Sequence, residues 1–257
     1  MNRLRQKLQT TGRRTLLGVA VQRYDPVFVE VAAHLGFDAM WIEMEHEALS
    51  IDAAGDLCRI ASGLGLLTMI RVNGPMREQV LKAAELDPDI LDLPMANTPE
   101  ISREFVGHAR FAPLGNRGFY GGSRAVRYGL AGKPGEEQQR VNDELCLLVQ
   151  VETKEAVDCL EATCEIPGLD GVFLGPGDLS VSFGVTGETA HPLVHGAMEH
   201  TIRTAKGKGK LVGVASSPTE FAQWSGLGAD LMFCGGNVGS MVNGLRSILA
   251  TVGDARR

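Results

Sequence analysis

From residue 16 almost to the end of the chain, short apolar runs rich in Val, Ile and Leu alternate with longer stretches whose apolar residues recur at helical spacing. Continuous apolar runs bounded by turn residues suit strands buried on both faces, as a parallel sheet covered by helices requires. The pattern predicts strands over 17–22, 39–44, 68–72, 90–95, 147–152, 171–175, 211–215 and 231–235. It predicts helices over 25–35, 51–63, 76–86, 99–110, 154–164, 192–206, 218–224 and 238–252. Eight strands, the number that closes an α/β barrel, predict a (β/α)8 TIM barrel with residues 1–257 as a single domain.

The punctuation supports these boundaries. Asp25-Pro26, Thr98-Pro99 and Ser217-Pro218 each place a capping side chain before a proline in the first helical position, and Gly36, Gly65 and Gly226 stand where helices should stop. The regular beat breaks once, over 111–146, where a Gly/Arg-rich segment (115–124) precedes a charged helical stretch at 136–144. So long an insertion in a compact domain is usually functional. No internal repeat or linker is visible.

Composition narrows the function classes. With 257 residues and 44% apolar content the chain can bury a large core, which excludes a disordered or fibrous protein. A net charge of −6 and the lack of a long basic run exclude a general nucleic-acid or anionic-membrane binder. Five cysteines, an odd number without C-x-x-C spacing, read as reduced and mostly buried thiols of a cytoplasmic protein. The basic stretch 1–14 leads only into a short apolar run without a cleavage pattern, and no stretch approaches the roughly 18 apolar residues of a membrane span.

In a barrel of this type, catalytic groups project from the C-terminal strand ends. Polar residues that end apolar runs are Glu43, Glu45 and His46 after the second strand, Arg71 after the third, Gln150 and Glu152 after the fifth, and Gly177 with Asp178 after the sixth. Glu152 and Asp178 end neighbouring strands, which lie about 4.8 Å apart, so both carboxylates could reach one ion. Oxygen ligands without a Cys or His pair point to Mg²⁺ or Mn²⁺ and not to zinc. The alternative is that each carboxylate caps a helix or meets a lysine. His46, beside Glu45 and three past Glu43, suits a general base oriented by a carboxylate, or else a hydrogen-bonded structural histidine. Arg71 could hold an enolate oxygen or a carboxylate, or form a rim salt bridge. Arg117, Arg124 and Arg127 in the insertion suggest anion binding. The segment lacks the P-loop and dinucleotide patterns. His34, His108, His191, His195 and His200 read as ordinary surface or packing residues.

Taken together, Glu45-His46, Ile70-Arg71-Val72, Leu93-Pro94-Met95, the run from Phe111 to Gly118, Val149-Gln150-Val151-Glu152 and the run from Leu169 to Ser180 resemble the HpcH/HpaI aldolases. These are the metal-dependent class II pyruvate aldolases of the phosphoenolpyruvate/pyruvate barrel superfamily. The resemblance extends from about Gly18 to about Leu249. It implies that Glu152 and Asp178 hold a divalent ion, Mg²⁺ or Mn²⁺ with Co²⁺ as a third option, and that no organic cofactor or Schiff-base lysine is used. Pyruvate would bind through its keto and carboxylate oxygens, with backbone N–H groups near Gly177 and Asp178 meeting the carboxylate. The ion would act as a Lewis acid so that an enolate forms. Arg71 would stabilise the enolate oxygen, His46 would move protons and Gln150 would orient the ion's ligands; Ala215 and Arg124 complete the expected substrate-binding set. Glu43 and Glu85 stand where the family commonly carries Asp, Asp87-Pro88-Asp89 replaces a usual Gly-Ala turn, and Asn237 replaces a common Asp.

The implied reaction is reversible cleavage of a 4-hydroxy-2-oxo acid to pyruvate and an aldehyde. An oxaloacetate-type decarboxylase would use the same chemistry, and a non-catalytic barrel that binds a 2-oxo acid is the alternative from a different class. The family also implies a homo-oligomer, a hexamer, often with the last helix packed on or exchanged with a neighbouring subunit.

Overall fold

The computed structural model describes residues 1–253. Eight parallel strands, β1 (Leu16–Val21), β2 (Ala39–Glu43), β3 (Leu67–Arg71), β4 (Ile90–Leu93), β5 (Cys146–Val151), β6 (Gly171–Leu174), β7 (Leu211–Ala215) and β8 (Leu231–Gly236), pair in sequence order and close into a barrel through β1 and β8. Each predicted strand corresponds to one of them. The helices are α1 (Arg3–Thr11), α2 (Pro26–His34), α3 (Ile51–Gly63), α4 (Arg77–Glu85), α5 (Pro99–Ala109), α6 (Pro134–Glu144), α7 (Lys154–Asp158), α8 (Leu160–Cys164), α9 (Pro176–Ser182), α10 (Pro192–Gly207), α11 (Phe221–Leu227) and α12 (Asn237–Val252).

The caps explain where helices begin. Asp25 accepts the N–H of Phe28 at 3.0 Å and Thr98 that of Ile101 at 3.4 Å, each satisfying a donor that has no partner inside its helix. Three local expectations are corrected. The helix expected over 154–164 breaks at Cys159 into α7 and α8, and the one expected over 218–224 starts as a 3-10 turn at Pro218–Glu220 before α11. Gly226 lies inside α11, whose stop is Gly228 at φ 114°, a left-handed conformation that glycine adopts without a Cβ clash. Two helices, α1 and α9, were not anticipated.

The barrel interior is packed, not open. Met69, Leu148, Phe173, Leu211, Leu231 and Phe233 fill it, and Leu4 of α1 closes its N-terminal end. Gly18 and Gly213 make room for the two rings: a Cβ there would come within 2.3 Å of Phe233 and 2.4 Å of Phe173. Trp41 stands above them, its ring centroid 5.2 Å from Phe173 and 5.5 Å from Phe233 in edge-on contact. These three rings form the floor beneath the C-terminal mouth.

The opposite end is tied by a motif of period two strands. Asp38, Asp89, Asp170 and Asp230, just before β2, β4, β6 and β8, each accept a backbone N–H of the preceding odd strand, from Leu17, Thr68, Leu147 and Val212 at 3.0, 2.6, 2.8 and 2.8 Å. The acidic groups also anchor α1, through Arg3 to Asp89 at 3.1 Å and Asn2 to Asp170 at 2.9 Å. A two-strand structural repeat is thus present where the sequence showed none.

No helix among the described residues is long and apolar enough to cross a membrane. The last helix, α12, leaves Met241, Leu245, Ile248 and Leu249 each more than half exposed. Its own barrel does not cover this apolar face.

Candidate active site

The C-terminal ends of β2, β3, β5, β6 and β7 surround a cavity of about 330 Å³. Arg71, Gln150, Glu152, Gly177, Asp178 and Ala215 all line it, over the face of Trp41, whose ring centroid lies 4.9 Å from the guanidinium carbon. Side chains alternate along a strand, so Arg71 and Gln150 point inward at the top of a barrel whose lower layers are apolar.

The guanidinium of Arg71 is held on several sides. Its Nε and Nη2 bind Glu43 Oε2, the former at 2.7 Å, while Nη1 lies 2.9 Å from Glu45 Oε2 and 3.4 Å from Gln150 Oε1. Glu43 Oε1 turns back to accept the backbone N–H groups of Glu45 at 2.7 Å and His46 at 3.1 Å. It is Glu45, not Glu43, that meets the imidazole, 3.4 Å from His46 Nε2. The His46 side chain is 62% exposed, on the rim of the mouth and not in the cavity.

Glu152 is buried next to Asp178. Its Oε1 accepts the N–H of Met95 at 2.7 Å, and its Oε2 has no hydrogen-bond partner among the described residues. Met95 adopts φ 51°, a left-handed conformation that costs a non-glycine residue about 1–2 kcal/mol, and the turn aims that N–H at the carboxylate. Burial, outweighing the Met95 bond and assisted by the charge of Asp178, pushes the Glu152 carboxyl up to about 7. Burial also raises Glu45, against the pull of Arg71 and His46. A Cβ at Gly175 would meet Glu152 Oε2 at 2.5 Å, so glycine there keeps space around the free oxygen. Among the described residues no three of His, Cys, Asp and Glu converge on one point. Two carboxylates, one with an unsatisfied buried oxygen, suit a hard cation that keeps several water or substrate oxygens, as Mg²⁺ does.

The HpcH/HpaI aldolase/citrate lyase family profile matches residues 17–243. The chain belongs to the HpcH/HpaI aldolase/citrate lyase family. Within it, the chain is 34% identical over 200 residues to the 2-keto-3-deoxy-L-rhamnonate aldolase of Klebsiella pneumoniae subsp. pneumoniae, covering 77% of this chain and 74% of the relative. Among solved structures, the HpcH/HpaI aldolase of Desulfitobacterium hafniense superposes with a TM-score of 0.90 at 25% identity, covering 97% of this chain and 96% of that one. A family protein of Burkholderia cenocepacia gives 0.88 at 28% identity, with 98% and 99% covered.

In this HpcH/HpaI barrel the strand-end reading gathers Arg71, Gln150, Glu152, Gly177, Asp178 and Ala215 at one cavity, with Glu43 supporting Arg71 from the side. Two expected residues are elsewhere. Glu85 ends α4 and Arg124 follows α5, so both lie on helix-to-strand connections, at the face opposite the mouth of their own barrel. There they line a separate cavity with Tyr120, Ser123 and Tyr128. Arg117 and Arg127 are not open anion sites either: Arg117 is buried against Glu85 at 3.0 Å, and Arg127 Nε binds Glu137 at 3.0 Å.

Several contributors escaped the sequence reading. Trp41 forms the floor, and Asp92 of β4 accepts Gln150 Nε2 at 2.5 Å in full burial. A carboxylate inside the apolar run 90–95 was the signal for Asp92. Thr189 of the connection after β6, with Ser216, Ser217 and Glu220 after β7, completes the cavity lining. His195, expected to be an ordinary packing residue, hydrogen-bonds Glu220 at 3.0 Å.

Proposed function

We propose that this chain is a divalent-metal-dependent aldolase that cleaves 4-hydroxy-2-oxo acids to pyruvate and an aldehyde, and that it makes the same bond in reverse. The observation that carries this reading is the buried, unpartnered Oε2 of Glu152 in the same cavity as Asp178 and Arg71. Glu152 and Asp178 would hold the ion, with Mg²⁺ and Mn²⁺ as first choices and Co²⁺ as a third. A divalent ion bound there supplies Lewis-acid polarisation of the substrate's 2-oxo group.

The chain's own groups do the rest. Arg71 offers its guanidinium to the oxygen that gains negative charge as the C3–C4 bond breaks, and Glu43, Glu45 and Gln150 fix that guanidinium in advance of the reaction. Preorganisation matters because a group already held in place need not reorganise as charge develops. Backbone N–H groups at Gly177 and Asp178, on the cavity wall, meet the substrate carboxylate. His46 exchanges protons between the mouth and solvent, with Glu45 beside its Nε2. Ala215 leaves room beside the β7 wall for the aldehyde portion.

The relatives' name makes a 2-keto-3-deoxy sugar acid the first substrate to try. Incubation of the purified protein with 2-keto-3-deoxy-L-rhamnonate, with Mg²⁺ or Mn²⁺ and with EDTA, followed by measurement of pyruvate, tests the reading. Metal-dependent pyruvate release is the expected result. Absence of pyruvate from this and other 4-hydroxy-2-oxo acids would count against it. The uncovered apolar face of α12 fits a homo-oligomer in which a second copy packs on it; a hexamer is the assembly we propose, in the cytoplasm.

A further inference from the structure

The cavity is chemically lopsided. Of the described residues that line it, Arg71 is the one cation, and it sits on β3, across an eight-stranded ring from β7. The β7 connection offers the hydroxyls of Ser216 and Ser217 and the carboxylate of Glu220, and the β6 connection adds the hydroxyl of Thr189.

Glu220 is held firmly. Its Oε2 accepts the Ser216 hydroxyl at 2.5 Å and its Oε1 meets His195 Nε2 at 3.0 Å, while the His195 ring stands edge-on to the fully buried Trp224 at 5.0 Å. Partial burial opposes its ionisation, but the hydrogen bonds from Ser216 and the Ser217 backbone, with His195 close by, outweigh that and keep the carboxyl below its ordinary value. An ionised carboxylate accepts about four hydrogen bonds, so acceptor capacity remains for a ligand.

We propose that Glu220 is a specificity-determining residue: it receives the hydroxyl groups of the aldehyde portion and rejects aldehydes that carry a second negative charge. The inference rests on the aldolase reading above and adds the class of aldehyde. A hydroxyl donates to the fixed carboxylate and accepts from Ser217 or Thr189. A carboxylate in the same place would face Glu220 with no Lys or Arg of the described lining beside it, because Arg71 is opposite and already paired with Glu43 and Glu45, and the ion is taken up by the 2-oxo acid. His195 is a positioning residue that locks the Glu220 rotamer. Of the insertion arginines that suggested anion binding, Arg117 and Arg127 are paired with Glu85 and Glu137, and Arg124 lines the separate cavity on the other face of the barrel, so none of them alters this balance.

The test is competition between acceptors of both kinds in the synthetic direction. Pyruvate and Mn²⁺ are supplied with glyceraldehyde or with succinic semialdehyde, and kcat/KM is measured for the wild-type protein, Glu220→Gln and Glu220→Lys. Wild-type protein is expected to favour glyceraldehyde by about a hundredfold, a scale within the cost of placing like charges side by side. Glu220→Gln keeps the shape and the Ser216 bond, and should shrink the ratio by about tenfold, mainly through a lower KM for the charged aldehyde. Glu220→Lys should shrink it further or invert it. A ratio that neither variant changes overturns the assignment. Deuterium exchange into wild-type-bound pyruvate, run without aldehyde, separates the two levels: exchange with an unmoved ratio overturns the Glu220 role alone, and no exchange overturns the aldolase reading and this inference together.

Discussion

Glu43 binds Arg71 and the His46 loop with one carboxylate: Oε2 accepts the Arg71 Nε–H at 2.7 Å, and Oε1 accepts the backbone N–H groups of Glu45 and His46. The pair couples the cavity-facing guanidinium to the loop that carries the exposed imidazole. Glu43→Gln removes the charge that pairs with a buried cation, so kcat should fall by about 10–100-fold with a smaller change in KM. The same change should destabilise the fold by about 1–3 kcal/mol, because the buried guanidinium loses its charge-assisted bonds to Glu43 and keeps Glu45 as its ion-pair partner. Steady-state kinetics and urea denaturation check both.

Asp92 gives a pH-dependent prediction of its own, with the charge of Glu152 adding to burial. Burial raises its carboxyl well above the ordinary value, against smaller pulls from Gln150 and Arg71. A raised pKa in the folded state means the folded protein holds a proton the unfolded chain has lost. Stability from this group is therefore complete below the unfolded value and is lost as pH rises towards the folded one. Asp92→Asn keeps an acceptor for Gln150 and removes the titration. Its melting temperature should exceed that of the wild type at pH 8 and approach it at pH 4.

Metal affinity should rise with pH. Burial and the charge of Asp178 push the Glu152 carboxyl up to about 7, and a cation competes with its proton. Calorimetric titration with Mn²⁺ should show weaker binding at pH 6 than at pH 8. Gly175→Ala places a Cβ 2.5 Å from Oε2, where the backbone tolerates alanine (φ −102°) but the carboxylate must move. Mn²⁺ affinity should drop at least about tenfold in this variant, the scale on which displaced ligand-supporting groups act. Equal affinity at both pH values would count against Glu152 as a ligand.

Much of this architecture was legible because the physics is local. Each strand is buried on both faces, so runs such as 211–215 carry no polar side chain, and 147–152 is apolar until Gln150 and Glu152 at its C-terminal end. The helix α1 was not, because it is polar apart from Leu4 and Leu8 and gains its place by tertiary bonds of Asn2, Arg3 and Lys7 to the strand bases. Glu152 and Asp178 were legible as strand ends. Glu85 and Arg124 lie away from the cavity of their own barrel: a motif does not say which face a residue occupies, whereas their positions after helices, and not after strands, carry that information. Glu220 was read only as part of a helix start, since its link to His195 spans 25 residues and two helices.

The exposed face of α12 predicts association. Leu245 and Ile248 are 57% and 61% exposed, and burial of either side chain stabilises an interface by about 1.5–3 kcal/mol. Sedimentation should give an oligomer for the wild type, and Leu245→Glu with Ile248→Glu should shift it to smaller species while the barrel stays folded.

The central claim is that Glu152, Asp178 and Arg71 make pyruvate's methyl protons labile. The direct measurement is NMR of deuterium incorporation into pyruvate in D₂O, with Mn²⁺ or Mg²⁺, with EDTA, and with the Glu152→Ala, Asp178→Ala and Arg71→Ala variants. Exchange that requires the ion and falls by at least about a hundredfold in each variant is the predicted result. Wild-type protein that binds the ion yet catalyses no exchange, or exchange that survives loss of both carboxylates, would contradict it.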